Sequence, residues 1–252
     1  MTASPTPVPR TLYVHDDLSD DLAALGSDSR ARRMGQSLFT LLRRDSPRIV
    51  ILTLAEQIDG LVARGAHEPF ATAIGIGGAG VRVAEGVHAR TGWFPSIDRV
   101  DLWREEDEAG DYLLSGPRPL DAQLATLTGV ESIAVVDDTI FSGLTLCTVL
   151  AALPPARRVH AFCLRAVADS LSAVAALAPV SAGFAASGRI LDDVSFINAS
   201  GLVKRGAIRR RGRPSLAFYE RPEWMAAWFP TDHEAITALC RELAGELESG
   251  AD

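Results

Sequence analysis

The sequence predicts an α/β fold, a doubly wound and mostly parallel sheet, and three features carry that expectation. Ile133-Ala-Val-Val136 is an apolar run without alternation, as a strand covered on both faces requires. Phe70-Ala-Thr-Ala-Ile-Gly-Ile76 is a second such run and leads through a glycine loop, Gly77-Gly-Ala-Gly80, into a helical stretch, Val81 to Arg90. From there to residue 185 strand-like and helix-like segments alternate, the order that parallel sheets demand.

Taken in order, the first ten residues hold three prolines and read as a loose lead, without the apolar core of a signal peptide. Tyr13 to Asp17 and a helix over Ser29 to Arg44, apolar at Met34, Leu38, Phe39, Leu41 and Leu42, make an N-terminal extension. Arg48 to Leu52 reads as a short strand or as the start of a helix that runs to Arg64, with helix favoured after Thr53. Beyond the glycine loop, Ile97 to Trp103 is expected as one strand, 104–119 as a polar segment and Asp121 to Leu127 as a helical turn. The strand Ile133–Val136 is expected to stop at Asp137-Asp138 and to turn into a helix over Thr145 to Leu153, ended by Pro154-Pro155. Val159 to Val167 and Val180 to Ala185 supply strands around a helix over Ser170 to Leu177.

The last seventy residues read differently: partly helical from Asp192 to Ile208, a basic loop, a strand over Ser215 to Tyr219, and a terminal helix over Thr231 to Leu247 capped by Thr231 or Asp232. The expected division is 1–66 as an extension packed on the core, 67–189 as the core, and 190–252 as a cap or hood.

Composition narrows the function classes. At 252 residues with a net charge of −7 the chain can bury an ample core and has no general affinity for nucleic acid or anionic membrane. Cys147, Cys163 and Cys240 stand in apolar contexts without metal-ligand spacing and read as reduced core residues. Arg165 and Asp169 interrupt the longest apolar region, so no membrane span is expected and the chain is placed in the cytoplasm. The five histidines are dispersed and form neither a metal nor a triad motif.

Chemistry concentrates at Ser132 to Thr145. Ligands of open parallel sheets sit beyond the carboxyl ends of the strands, which puts Asp137 and Asp138 at the rim of a crevice. Gly143 permits a backbone conformation in which successive N–H groups converge on one anion; Ser142 and Thr145 add hydroxyls, and the helix that follows aims its positive end at the same place. One end of the motif suits a phosphate. The other suits sugar hydroxyls or a hydrated divalent cation, and paired acids after a buried strand also occur in magnesium-binding receiver domains.

At these residues the chain resembles the type I phosphoribosyltransferases, whose signature is an apolar strand, two acids, three variable positions, Thr or Ser, Gly, one variable position and Thr. The resemblance implies that fold, transferase activity and binding of 5-phosphoribosyl 1-pyrophosphate (PRPP) with Mg²⁺. It implies that Asp137 and Asp138 hold the ribose hydroxyls, and that Thr139 and the turn Phe141, Ser142, Gly143, Leu144 and Thr145 wrap the 5-phosphate. It further implies that Gly77, Gly78 and Ala79 form the pyrophosphate loop. Arg104 and Arg118, in a segment placed where the family has a mobile loop, become candidates to reach pyrophosphate. The partners implied are PRPP, a small-molecule acceptor and a second copy of the chain.

The match has departures. Many family members carry a basic residue in the glycine loop, whereas here the nearest is Arg82, and Phe141 stands where 6-oxopurine enzymes usually have an aspartate that assists N7. That argues against hypoxanthine or guanine and leaves adenine, orotate, an amine or a specialised metabolite as acceptor.

Other segments keep two readings. Gly75 to Gly80 also reads as an imperfect dinucleotide fingerprint or a plain tight turn. Residues 104–118 also read as a solvated hairpin tip. Lys204 to Arg213, with six cations in ten residues, reads as a solvated loop or as a site for an anionic acceptor, a neighbouring subunit or RNA. Tyr219 to Phe229, or Phe196, reads as core or as a hood for the acceptor base, and Asp192-Asp193 as a helix cap or an acceptor contact. Beside an enzyme stand a PRPP-binding regulator or assembly protein without turnover and a receiver-like phosphotransfer protein.

Overall fold

Apolar strand runs and amphipathic helices sort the chain into two units, seen in a computed structural model that describes residues 10–26, 29–64, 67–188 and 194–249. In chain order the elements are β1 (Thr11–Asp16), α1 (Leu18–Ala23), α2 (Arg30–Leu42), β2 (Ile49–Thr53), α3 (Leu54–Ala63), β3 (Thr72–Ile76), α4 (Gly77–Thr91) and β4 (Ile97–Val100). There follow β5 (Trp103–Glu106), β6 (Tyr112–Ser115), α5 (Leu120–Leu124), β7 (Ser132–Ile140), α6 (Leu144–Ala152), β8 (Arg158–Val167), α7 (Ala168–Ala175) and β9 (Val180–Ala186). The chain closes with β10 (Val194–Asn198), α8 (Ala199–Val203), β11 (Ile208–Arg210), β12 (Arg213–Leu216), α9 (Pro222–Trp228) and α10 (His233–Ser249). Residues 1–54, 106–109 and 189–252 form one unit and 55–105 with 110–188 the other.

In the first unit β1 lies between β10 and β2 and pairs with both in parallel. Helix α2 starts where Ser29 Oγ accepts the Arg32 amide, and it buries Met34, Leu38, Phe39 and Leu42 at helical spacing. These pack with Leu12 and Val14 of β1 and with Met225, Trp228, Ile236 and Cys240. The aromatic segment is thus core: Trp228 meets Phe218 edge-on at 5.3 Å, and Phe196 stacks 5.2 Å from Tyr13. Asp192 and Asp193 lie outside the described residues.

The basic run is tied down within this unit. Lys204 bonds Asp21, Arg205 bonds Glu220, Arg210 donates to the Pro214 carbonyl, and Arg213 to that of Asp107. It is also not all loop, because β11 and β12 pair antiparallel across it. The expected partial helix within 192–208 is Ala199–Val203, and it follows a strand at Val194–Asn198 that was not foreseen. The strand lies in register on β1, with Ser195, Phe196 and Ile197 all buried.

The second unit holds a five-stranded parallel sheet in the order β4-β3-β7-β8-β9. From β3 the chain moves outward through α4 to β4; from β7 it moves the other way through α6 to β8 and α7 to β9. Because such crossovers are right-handed, the two directions of travel put α4 on one face and α6 and α7 on the other, a doubly wound sheet. Helix α3 joins α4: a β-carbon on Gly86 of α4 would lie 2.4 Å from Ile58 Cδ1. It also crosses β9 closely, since a β-carbon on Gly183 would lie 2.6 Å from the Gln57 carbonyl and 2.9 Å from that of Leu164.

Three expectations change here. Gly77–Gly80 is the first turn of α4 and not a loop. Close packing dictates this: a β-carbon on Gly80 would lie 2.4 Å from the Val136 carbonyl, and one on Gly75 2.4 Å from the Val81 nitrogen. Ile97–Trp103 is two strands, interrupted at Asp101, whose amide is bound by the Gln123 side chain at 2.8 Å. Residues 104–118 contain the neighbouring strands β5 and β6 joined by a short turn. Among the described residues no helix is long and apolar enough to cross a membrane.

Candidate functional site

Strand β7 does not stop at its acids. Asp137 and Thr139 pair in register with Cys163 and Arg165 of β8, and the strand continues to Ile140. The extra pairing is stabilised by β8, which is buried from Ala161 to Val167. Successive side chains of a strand project to opposite sides, and the two carboxylates accordingly meet different surroundings.

Asp137 lines an open pocket of about 220 Å³ of empty space together with Arg104, Thr139 and the turn Phe141 to Leu146. Its Oδ1 accepts the Asp138 amide at 2.9 Å. Burial pushes the Asp137 carboxyl well above the usual carboxylate range; the neighbouring Asp138 charge adds to this, and Arg104 opposes it.

Asp138 turns to a buried partner. Its Oδ2 accepts from Arg165 Nη2 at 2.9 Å and from Thr139 Oγ1 at 3.1 Å, and Arg165 Nη1 donates to Gln57 Oε1 of α3 at 3.0 Å. Arg165 is 1% exposed and Gln57 4%. The expectation that both acids lie at the rim, replaceable without harm to the fold, is therefore corrected for Asp138. Removing it takes a charged partner from a buried guanidinium, and breaking comparable buried pairs costs about 3–5 kcal/mol.

The turn after β7 is set by Gly143, at φ +78° on the N-cap of α6, a conformation that disfavours any side chain. The Cys147 amide closes the first helical bond on the Gly143 carbonyl at 2.8 Å, Ser142 Oγ accepts the Leu144 amide at 3.4 Å, and Ser170 Oγ donates to the Phe141 carbonyl. The earliest amides of α6 have no intrahelical acceptor and carry its positive end. Arg104 stands across this turn, its guanidinium 5.6 Å from the Phe141 ring and 5.9 Å from the Tyr112 ring, both at cation–π range.

Of the residues singled out from sequence, Asp137, Thr139, Phe141, Ser142, Gly143, Leu144, Thr145 and Arg104 share one pocket. Gly77, Gly78 and Ala79 follow β3, the strand next to β7, and Gly77 has φ +60° with open space where side chains would stand at 77 and 78. The ends of β3 and β7 mark the point where the chain's direction of travel reverses, the usual ligand crevice of such sheets. The carbonyl of Arg118 accepts the Gln123 side chain.

Sequence reading missed Arg165 and Gln57. A signal existed: an arginine inside the apolar run Ala161 to Val167 needs a buried acceptor, and the acids of the adjacent strand are the nearest candidates. It also missed that His67 and His160 meet at Ser181, whose hydroxyl lies 3.4 Å from His67 Nε2 and 2.9 Å from His160 Nε2. Burial lowers His160 to about 4, helped by His67 and Arg158.

Fold and pocket together define an α/β protein whose switch-point crevice offers an anion turn beside a carboxylate. Neither the family models nor the curated proteins contain a match to the chain. Among solved structures it is similar to a hypothetical protein from Neisseria gonorrhoeae with bound ppGpp, at 18% identity and TM-score 0.39 over 57% of this chain and 82% of that one. It is similar to a purine phosphoribosyltransferase from Pyrococcus horikoshii, at 16% identity and TM-score 0.39 over 57% of this chain and 86% of that one. A protein from Aquifex aeolicus aligns at 14% identity and TM-score 0.35 over 69% and 86%.

Proposed function

We propose that the chain transfers a 5-phosphoribosyl group from Mg²⁺-bound PRPP to a small-molecule acceptor. The bond from C1 to the pyrophosphate oxygen breaks, a bond from C1 to the acceptor nucleophile forms, and the acceptor proton leaves to solvent. The observation that carries this reading is the shared pocket of Asp137, Arg104 and the Gly143 turn.

In this reading the turn Phe141 to Thr145 receives the 5-phosphate through main-chain amides and hydroxyls. Asp137, with Asp138 behind it, meets the ribose hydroxyls and stabilises the positive charge that develops at C1. Arg104 meets the departing pyrophosphate, and the first turn of α4 offers a second set of amides at Gly77 to Ala79. Among the described residues no cluster of three or more acidic, His or Cys side chains converges as a metal cage. In this reading Mg²⁺ belongs to the substrate complex and is held by its oxygens. Phe141 has no proton-accepting group, which weighs against a 6-oxopurine acceptor.

The test is incubation of the full chain with PRPP and Mg²⁺ against a panel of bases and amines, following pyrophosphate. Acceptor-dependent release is the expected result. Binding without release under every acceptor would favour a PRPP-responsive regulator, and absence of PRPP binding at millimolar concentration would reject both.

A further inference from the structure

Asp137 in the pocket and Asp138 directly behind it pose an electrostatic problem for a sugar bearing phosphate and pyrophosphate, because each ligand charge repels both acids. The second unit contains one feature that answers it. Arg165 sits inside an apolar strand at 1% exposure, with Nη2 on Asp138 Oδ2 at 2.9 Å and Nη1 on Gln57 Oε1 at 3.0 Å. Thr139 Oγ1 holds the same carboxylate oxygen at 3.1 Å. Burial of such a pair is seldom favourable for stability alone, since well-packed apolar side chains of similar volume do as well or better.

We propose that Arg165 is a positioning residue of the sugar-phosphate site: it neutralises Asp138, pins it through Oδ2 and so fixes the backbone amide that Asp137 Oδ1 accepts in the pocket. The inference rests on the PRPP reading. Of the two acids, Asp137 alone then stands without a buried counter-charge, and the bound polyanion meets one such carboxylate in place of two. Gln57 acts one step further back, from α3, by fixing the plane of the guanidinium.

The experiment compares Mg²⁺-PRPP affinity by calorimetry, together with melting temperature, for the wild-type chain, Arg165→Met, Asp138→Asn and the double variant. Arg165→Met is expected to weaken PRPP binding about tenfold, and the double variant to recover much of that loss, a coupling that contacting charges show and independent sites do not. A merely structural arginine would lower the melting temperature without this recovery. Should Arg165→Met not fold, Gln57→Met keeps both charges and is expected to weaken binding about threefold through loss of orientation. PRPP affinity within twofold of wild type in folded Arg165→Met, or in Gln57→Met, overturns the positioning role and leaves the PRPP reading intact. A wild-type chain that does not bind PRPP overturns both.

Discussion

Two parallel strands of this chain carry adjacent aspartates at or near their carboxyl ends, and the two pairs meet different fates. At the end of β1, Asp16 Oδ1 accepts the Ser19 amide at 2.9 Å, and Asp17 accepts both the amide and the hydroxyl of Ser200. Both carboxylates are consumed in starting helices, and Leu18, fully buried, follows at once. At the end of β7 one acid is consumed by Arg165, while the other faces a pocket closed by a five-residue turn with a glycine at positive φ. An acid pair at the end of a parallel strand is therefore not a site by itself. The backbone that follows, and the number of partners each carboxylate already has, decide whether charge remains for a ligand.

That contrast can be broken most directly at Asp137. Asp137→Asn is expected to cut PRPP-dependent pyrophosphate release about 100-fold or more while the chain stays folded. It should also raise the melting temperature at pH 7. The sign follows from the carboxyl being raised in the folded state. The unfolded chain ionises first as pH rises, so Asp137 destabilises the fold at neutral pH, and the gain should fade as pH falls toward 4. Calorimetric melts of the variant against wild type between pH 4 and 7 check both the sign and the window.

Asp17→Ala should do the opposite. Loss of two hydrogen bonds to Ser200 is expected to cost about 1–3 kcal/mol in denaturant titrations, with PRPP affinity unchanged. If affinity fell in step with stability, the two acid pairs would not differ in kind. Gly143→Ala is expected to cost about 1–2 kcal/mol from the left-handed backbone and to lower PRPP affinity about tenfold, because the turn must relax away from its anion geometry. The smallest effect belongs to Asp16→Ala, about 1 kcal/mol from a lost helix-start acceptor, again without change in binding.

Local chemistry made the β7 turn legible: Gly143 and its hydroxyls act through their own backbone, so their spacing in sequence is their spacing in space. The strands Ile133–Val136 and Phe70–Ile76 were legible for the same reason, since burial on both faces writes an unbroken apolar run. What escaped was non-local. The pairing of Asp138 with Arg165 and Gln57 joins three elements, and no periodicity in any of them announces it. Gly77 to Gly80 reads as a loop because glycine disfavours helix, yet packing on Val136 demands a residue without a β-carbon at the helix start, and tertiary contact prevailed over propensity. The strand Val194 to Asn198 was not legible within a stretch read as partly helical, because its strand character comes from β1, far away in sequence.

Gly183 carries a consequence beyond packing. The space for its absent methyl is already filled by the carbonyls of Gln57, whose side chain orients Arg165, and of Leu164, which precedes Arg165 in β8. A single added carbon on β9 would push on the backbone at both supports of the Arg165–Asp138 pair, although Gly183 does not line the candidate pocket. Surveys that rank positions by distance from a ligand would treat this glycine as a bystander. It is better regarded as a spacer that sets the tolerance to which the pair is built.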